Sequence, residues 1–142
     1  MKTNTVPNLS RKQIDALQAE LDAIRNDVVA DLGERDAQHI RRMVRLARAN
    51  AIAGRSLLHF GFGPLSFVAG TTALGVAKIL ENMEIGHNVM HGQYDWMNDP
   101  TLNSQTYEWD NVCTGDDWRH SHNVVHHTYT NILGKDPDVG YG

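Results

Sequence analysis

The sequence predicts an all-α, membrane-associated protein in which an apolar hairpin or single span carries histidine-bearing helices beyond the lipid. Three observations lead there. Apolar residues recur at alternating three and four through the first thirty positions, the spacing of one helix face. Residues 57–80, LLHFGFGPLSFVAGTTALGVAKIL, form an apolar stretch of 24, where one bilayer crossing takes about 20. Six of the eight histidines then fall in two short clusters just beyond it, His87 and His91 followed by His120, His122, His126 and His127.

Taken in order, Ser10 opens the first helix, with Gln13 three residues on completing a capping box. Ile14, Leu17, Leu21, Ile24 and Val28 make its apolar stripe, and Gly33 is the expected stop. This amphipathic helix, residues 1–35, is one unit and 36–142 the other. A second helix is expected over about 36–53. Arg41, Arg42, Arg45 and Arg48 share one sector, while Ile40, Met43, Val44, Ala47 and Ala51 fill another. Next to an apolar stretch, such an arginine face reads as a flank near anionic headgroups on the cytoplasmic side. It lacks the interleaved aromatics of a nucleic-acid surface, and the chain carries a net charge of −4.

Gly61-Phe62-Gly63-Pro64 interrupts the apolar stretch, and Pro64 suits the first turn of a new helix. A single span would separate the arginines from the histidines across the membrane. A hairpin tipped at 61–64, with legs 47–62 and 65–80, would return them to one side. Each such leg is about 24 Å, short of the roughly 30 Å hydrocarbon core, and one carries Arg55, costly in lipid unless it snorkels or pairs. The hairpin is nevertheless preferred; a buried helix of a soluble core is the alternative. The helix from Pro64 is expected to continue to His91 and end at Gly92. Residues 93–115 are turn-rich, with Trp96, Tyr107 and Trp109 marking an interface. Asp116 or Asp117 is expected to cap the second histidine helix, and 131–142 reads as loop.

On a helix, His122 and His126 fall on one face, roughly 40° apart, while His127 is turned about 100° from His126 and lies in line with His120. Imidazoles in two directions suit two metal ions better than one. Neutral imidazole is the commonest side-chain metal ligand and accommodates iron, zinc, copper and nickel. Glu84 shares a face with His87 and His91 and is placed to accept from an imidazole, as metal-bound histidines generally require. HNVMH has the histidine spacing of zinc proteases, but Asn88 stands where the general-base glutamate belongs. His39 and His59 are given no role.

The mean hydropathy of −0.43 hides segregation of charge. Residues 1–55 carry ten basic and seven acidic side chains, 56–80 only Lys78, and 81–142 two basic against ten acidic. One cysteine, Cys113, excludes an intramolecular disulfide and fits a reducing compartment. No secretory signal pattern opens the chain.

HNVMH and HNVVHH, within the runs NMEIGHNVMHGQYDWMNDP and WRHSHNVVHHTYTNILGKDPDVGYG, resemble the first two histidine boxes of the membrane fatty acid desaturases, in their acyl-CoA or acyl-lipid branch. The resemblance covers roughly 41–142. It implies a non-haem site of two irons ligated by His87, His91, His122, His126 and His127, with His120 an optional sixth. It implies dioxygen-dependent insertion of a double bond into an acyl-CoA or acyl-lipid, with electrons from a ferredoxin or cytochrome donor and its reductase. It also implies that 93–115 helps to wall the acyl channel. Removing hydrogen from an unactivated alkyl chain is beyond side-chain acid–base chemistry and needs an oxidant made at a redox metal. Two irons held mainly by imidazole want about eight histidines, and the family's third box is missing before Gly142. The expectation is therefore the N-terminal portion of a desaturase. A histidine-box hydroxylase or monooxygenase and a non-catalytic metal-binding fragment are the alternatives.

Overall fold

The structure is a computed structural model describing residues 9–111 and 113–139; all secondary structure among them is helical. The chain divides into two units, Met1–Asp36 and Ala37–Gly142. In the first, α1 (Arg11–Asp31) starts at the predicted box: Ser10 accepts from the Gln13 amide and the Gln13 side chain accepts from the Ser10 amide. Its stripe is bare, Ile14 to Val28 being 43–60% exposed. Gly33 does not stop this helix. Leu32 ends it in an extended conformation, and Gly33 instead opens the next, its amide donating to Asp36 Oδ2 at 3.1 Å.

Helix α2 (Glu34–Phe60) runs past the expected end at Ala53, because no proline intervenes and Gly54 is used for packing. The chain turns at Gly61–Phe62. Gly63, with φ of +81°, begins the helical run α3 (Gly63–Met90), with Pro64 in its first turn. The two helices form an antiparallel hairpin without clearance for side chains at the crossing. A Cβ on Gly54 would lie 2.8 Å from the Leu74 amide and 2.9 Å from the Gly70 carbonyl. The hairpin predicted at 61–64 is therefore present, with longer legs than expected: 27 and 28 residues, about 40 Å each. Only 11% of the most apolar window of α3 is buried. Ile52, Leu65, Phe67, Val68 and Ile79 point outward, each at least 60% exposed. This apolar exterior is that of an all-α, membrane-associated protein.

The polar end of the hairpin holds the core. Ala47 of α2, Ile85 and Val89 of α3 and Leu102 of the following loop are buried together, flanked by Ile40, Val44, Tyr94 and Tyr107. The loop 93–111 folds back along the hairpin and pairs with its charges. Tyr107 donates to Glu81 at 2.5 Å, and Asp110 pairs with both Arg55 and Lys78, the latter at 3.0 Å. Arg55 thus pairs, one of the two ways in which an arginine on such a leg is tolerated. Arg41, in the basic sector, reaches Asp99 at 3.5 Å.

Helix α4 (residues 115–129) is capped by Thr114, whose hydroxyl accepts from the Asp117 amide at 3.1 Å and donates to the Asp117 carboxylate at 2.8 Å. Neither Asp116 nor Asp117 is the cap: the amide and the carboxylate of Asp117 both bond the Thr114 hydroxyl, and Asp116 binds Arg119. Both histidine-bearing helices contain a widened π segment, Leu80–Gly86 in α3 and Arg119–His126 in α4. Such segments are frequent at functional sites, where an extra residue in the turn re-aims the side chains after it.

Candidate metal centre

Burying Ile85 and Val89 against α2 dictates where the first histidine pair points. Side chains two residues apart on a helix lie about 200° from each other, so His87 and His91 face away from the core, toward α4. Three contacts hold α4 there. Asn123 Nδ2 donates to the Met90 carbonyl at 2.9 Å, and Arg119 donates to the carbonyls of Ser104 at 3.2 Å and Tyr107 at 3.0 Å.

Five imidazoles meet in consequence. Ring centroids are 4.7 Å apart for His87–His91, 4.9 Å for His87–His122, 4.8 Å for His122–His126 and 4.9 Å for His91–His127. His122 and His126 are stacked, sharing a face as their spacing predicts. His127 is edge-on to His126 but turns into the same cluster rather than away with His120. His120 is exposed and lies outside the ring contacts. Donor atoms fall into two groups that share His122, each within 4.8 Å: His87 with His91 and His122, and His122 with His126 and Asp138.

Two carboxylates stand behind the imidazoles, and neither was singled out from the sequence. Asp136 Oδ1 and Oδ2 both lie 3.0 Å from His126 Nδ1, and Asp138 Oδ2 lies 2.5 Å from His122 Nδ1. Burial opposes ionisation of Asp136. The hydrogen bonds from His126 and from the Asn131 and Asp138 amides outweigh it and hold the carboxyl below the usual range. Glu84 does not share this work: its main-chain carbonyl accepts from Asn88 and Tyr94, and among the described residues no hydrogen bond joins its carboxylate to a histidine. Trp118 was likewise unassigned. Its ring stacks on His122 at 4.2 Å, stands edge-on to His87 at 5.3 Å and His91 at 5.7 Å, and meets Trp109 at 5.4 Å. Trp109 in turn covers Gly86, where a Cβ would come within 2.5 Å of the indole.

Burial first, then the charges that His87 and His122 would carry, push His91 down to about 4. It is therefore neutral at pH 7, the form that binds metal. One buried side-chain polar atom among the described residues has no hydrogen-bond partner, Asn123 Oδ1, next to His122. Nitrogen donors on two rigid helices, backed by carboxylates on the far ring nitrogens, fit a transition-metal site.

Fold and site together define a helical, membrane-associated protein with a histidine-rich centre able to hold metal. Over 135 residues, 95% of its length, the chain is 57% identical to proteins of two Mycobacterium tuberculosis strains described as NADPH-dependent stearoyl-CoA 9-desaturase, and it spans about a third (32%) of their length. It is 33% identical over 84 residues, 55% of its length, to the sn-1 linoleoyl-lipid 6-desaturase of Synechocystis, covering 23% of that protein. With the enzyme of the same description from Arthrospira platensis it shares 37% over 73 residues, 49% of the chain and 19% of that protein. The chain belongs to the fatty acid desaturase family. No protein-family model matches it, and no solved structure does.

Proposed function

We propose that this protein forms the membrane hairpin and the first two ligand clusters of a fatty acyl desaturase with a non-haem di-iron site. The observation that carries the reading is the meeting of five imidazoles from two helices, with ring centroids 4.7–5.4 Å apart between neighbours, at the polar end of an apolar hairpin. His87, His91, His122, His126 and His127 are the proposed ligands, and His120 is left out because it points to solvent. Bound iron would supply the activation of dioxygen that side chains cannot. The overall change is loss of two hydrogens from adjacent acyl carbons, with dioxygen, two electrons and two protons consumed and two waters released.

The residues of this chain bind, orient and shield. The helices fix the imidazoles, and Trp118 and Trp109 roof the cluster on one side. An open cleft of about 500 Å³ beside that roof is lined by Ile79, Met83, Trp109 and Trp118 on one side and by Lys78, Asn82 and Asn111 on the other, and its apolar side is the proposed seat of an acyl chain. The relatives' descriptions support an acyl-CoA or acyl-lipid substrate and, in the mycobacterial case, reducing equivalents from NADPH. A ferredoxin or cytochrome with its reductase is the proposed electron donor. The arginine flank supports a cytoplasmic location of the histidine boxes. Five imidazoles are fewer than the roughly eight nitrogen ligands expected, so further ligands are proposed to come from outside residues 1–142.

Iron analysis tests the site. Reconstituted anaerobically in lipid nanodiscs with Fe(II), the chain should bind iron. His126→Ala should lower that binding at least tenfold, while His120→Ala and His39→Ala leave it intact. Absence of iron, or equal losses in all three variants, would overturn the assignment. Product analysis in cells expressing the longest reading frame that contains this sequence tests the chemistry: a new acyl double bond is expected, and a hydroxylated product would transfer the protein to the hydroxylases.

A further inference from the structure

We propose that the segment Asp136-Pro137-Asp138 is a carboxylate clamp that positions His126 and His122, fixing the proton on Nδ1 of each ring so that both Nε2 lone pairs face the metal. The proposal rests on the metal-site reading above. Asp136 has a side chain of zero exposure, although a carboxylate withdrawn from water is costly unless fully hydrogen-bonded. Its two oxygens accept from the Asn131 amide at 2.7 Å and the Asp138 amide at 3.0 Å, and face His126 Nδ1 at 3.0 Å. An ionised carboxylate only accepts hydrogen bonds, so the nitrogen facing it must bear the proton.

The second jaw is tied to the first. Asp138 reaches His122 Nδ1 at 2.5 Å while its own amide is held by Asp136 Oδ1. The loop that brings both carboxylates back is preset: Asn131 sits at φ 63° and Gly134 at φ 75°, and the Ile132 carbonyl accepts from the Lys135 and Asp136 amides at 3.0 Å each. Pro137 restricts the backbone between the jaws. The histidine stack is therefore gripped from one side, ten and sixteen residues downstream of its members. Fixing the tautomer and ring angle of a ligand histidine is worth 10–100-fold in metal affinity.

The test reads the tautomers directly, without metal. In ¹⁵N-histidine-labelled chain in nanodiscs, long-range ¹H–¹⁵N correlation should show Nδ1–H for His122 and His126. Asp136→Ala should shift His126 toward the Nε2–H form. Asp138→Ala, at a partly exposed carboxylate less critical to folding, should shift His122 alone. Titration with Co(II) should then show a 10–100-fold loss of affinity in each variant and partial recovery in Asp138→Glu. Unchanged tautomers in both variants overturn the clamp even if metal binding falls, as does unchanged affinity after a tautomer shift. Loss of the Co(II) spectrum in Asp138→Ala with the His122 tautomer intact would make Asp138 a direct ligand and overturn its role as a jaw. A wild-type chain that binds no Co(II) sinks the metal-site reading itself, an outcome distinct from all of these.

Discussion

Cys113 shows how far single-residue chemistry depends on neighbours that sequence order conceals. Burial first, then the charges of Asp117 and Asp138, push its thiol up, so the reactive thiolate is scarce near neutral pH. Alkylation by iodoacetamide at pH 8 is expected to be several-fold slower than that of an unfolded cysteine peptide, and to match it after denaturation; equal rates in the native state would contradict the burial. At this scale the imidazoles were legible, because two histidines four apart on one helix share a face whatever surrounds them. Their partners were not. Asp136 and Asp138 reach His126 and His122 only because a loop with two left-handed residues closes back on the helix, and no periodicity reports such closure. Glu84 looked better placed on spacing alone, yet the widened turn Leu80–Gly86 and the Tyr94 contact engage its backbone instead.

Among the elements, the helices were legible from stripes, the Ser10 box and Pro64, and their ends less so. Gly33 was expected to terminate a helix and instead starts one, and the cap of α4 is Thr114 rather than either aspartate after it. Both corrections turn on a local hydrogen bond that several neighbouring residues could equally have made. The legs of the hairpin came out longer than expected because Gly54 is compatible with continued helix when a second backbone lies against it. That contact gives a clean comparison. Gly54→Ala forces a methyl group against backbone atoms 2.8–2.9 Å away and should destabilise the hairpin by about 1–3 kcal/mol. Gly75→Ala meets nothing within 4 Å and should be neutral or mildly stabilising. Unfolding of the two variants in mixed micelles measures the difference, and equal effects would mean the legs do not touch there.

The loop that closes on the hairpin makes a second prediction for an element. Hydrogen bonds from Lys78 and Arg55 hold Asp110 below the usual carboxylate range. A carboxyl with a depressed folded pKa contributes stability above its unfolded value, near pH 4, and loses it as pH falls through the folded value. Loop docking should therefore weaken in acid, and Asp110→Asn should remove that dependence. Asp110 is 67% exposed, so the effect is under about 1 kcal/mol. Hydrogen exchange of the 93–110 amides between pH 3 and 6, corrected for intrinsic rates, measures it.

For the whole molecule, the antiparallel hairpin has a topological consequence that neither cluster of histidines has alone. The arginine face of α2 and the imidazoles at the end of α3 lie at the same end of the hairpin, since Ala47 packs with Ile85 and Val89, whereas Phe62, 96% exposed, marks the other end. Helices of about 40 Å exceed the roughly 30 Å hydrocarbon core, so the polar end can stand clear of lipid while the turn remains in or across it. With Cys113 replaced by serine, single cysteines at Arg42 and His120 should react with a membrane-impermeant maleimide from one and the same side. By the proposed orientation that side is exposed in inverted vesicles and hidden in right-side-out ones. A cysteine at Phe62 should not react from that side in either position of the turn, buried or across. Labelling of 42 and 120 from opposite sides would require a single span, would separate the basic flank from the metal centre, and would leave the cytosolic supply of iron and electrons without access to the histidines.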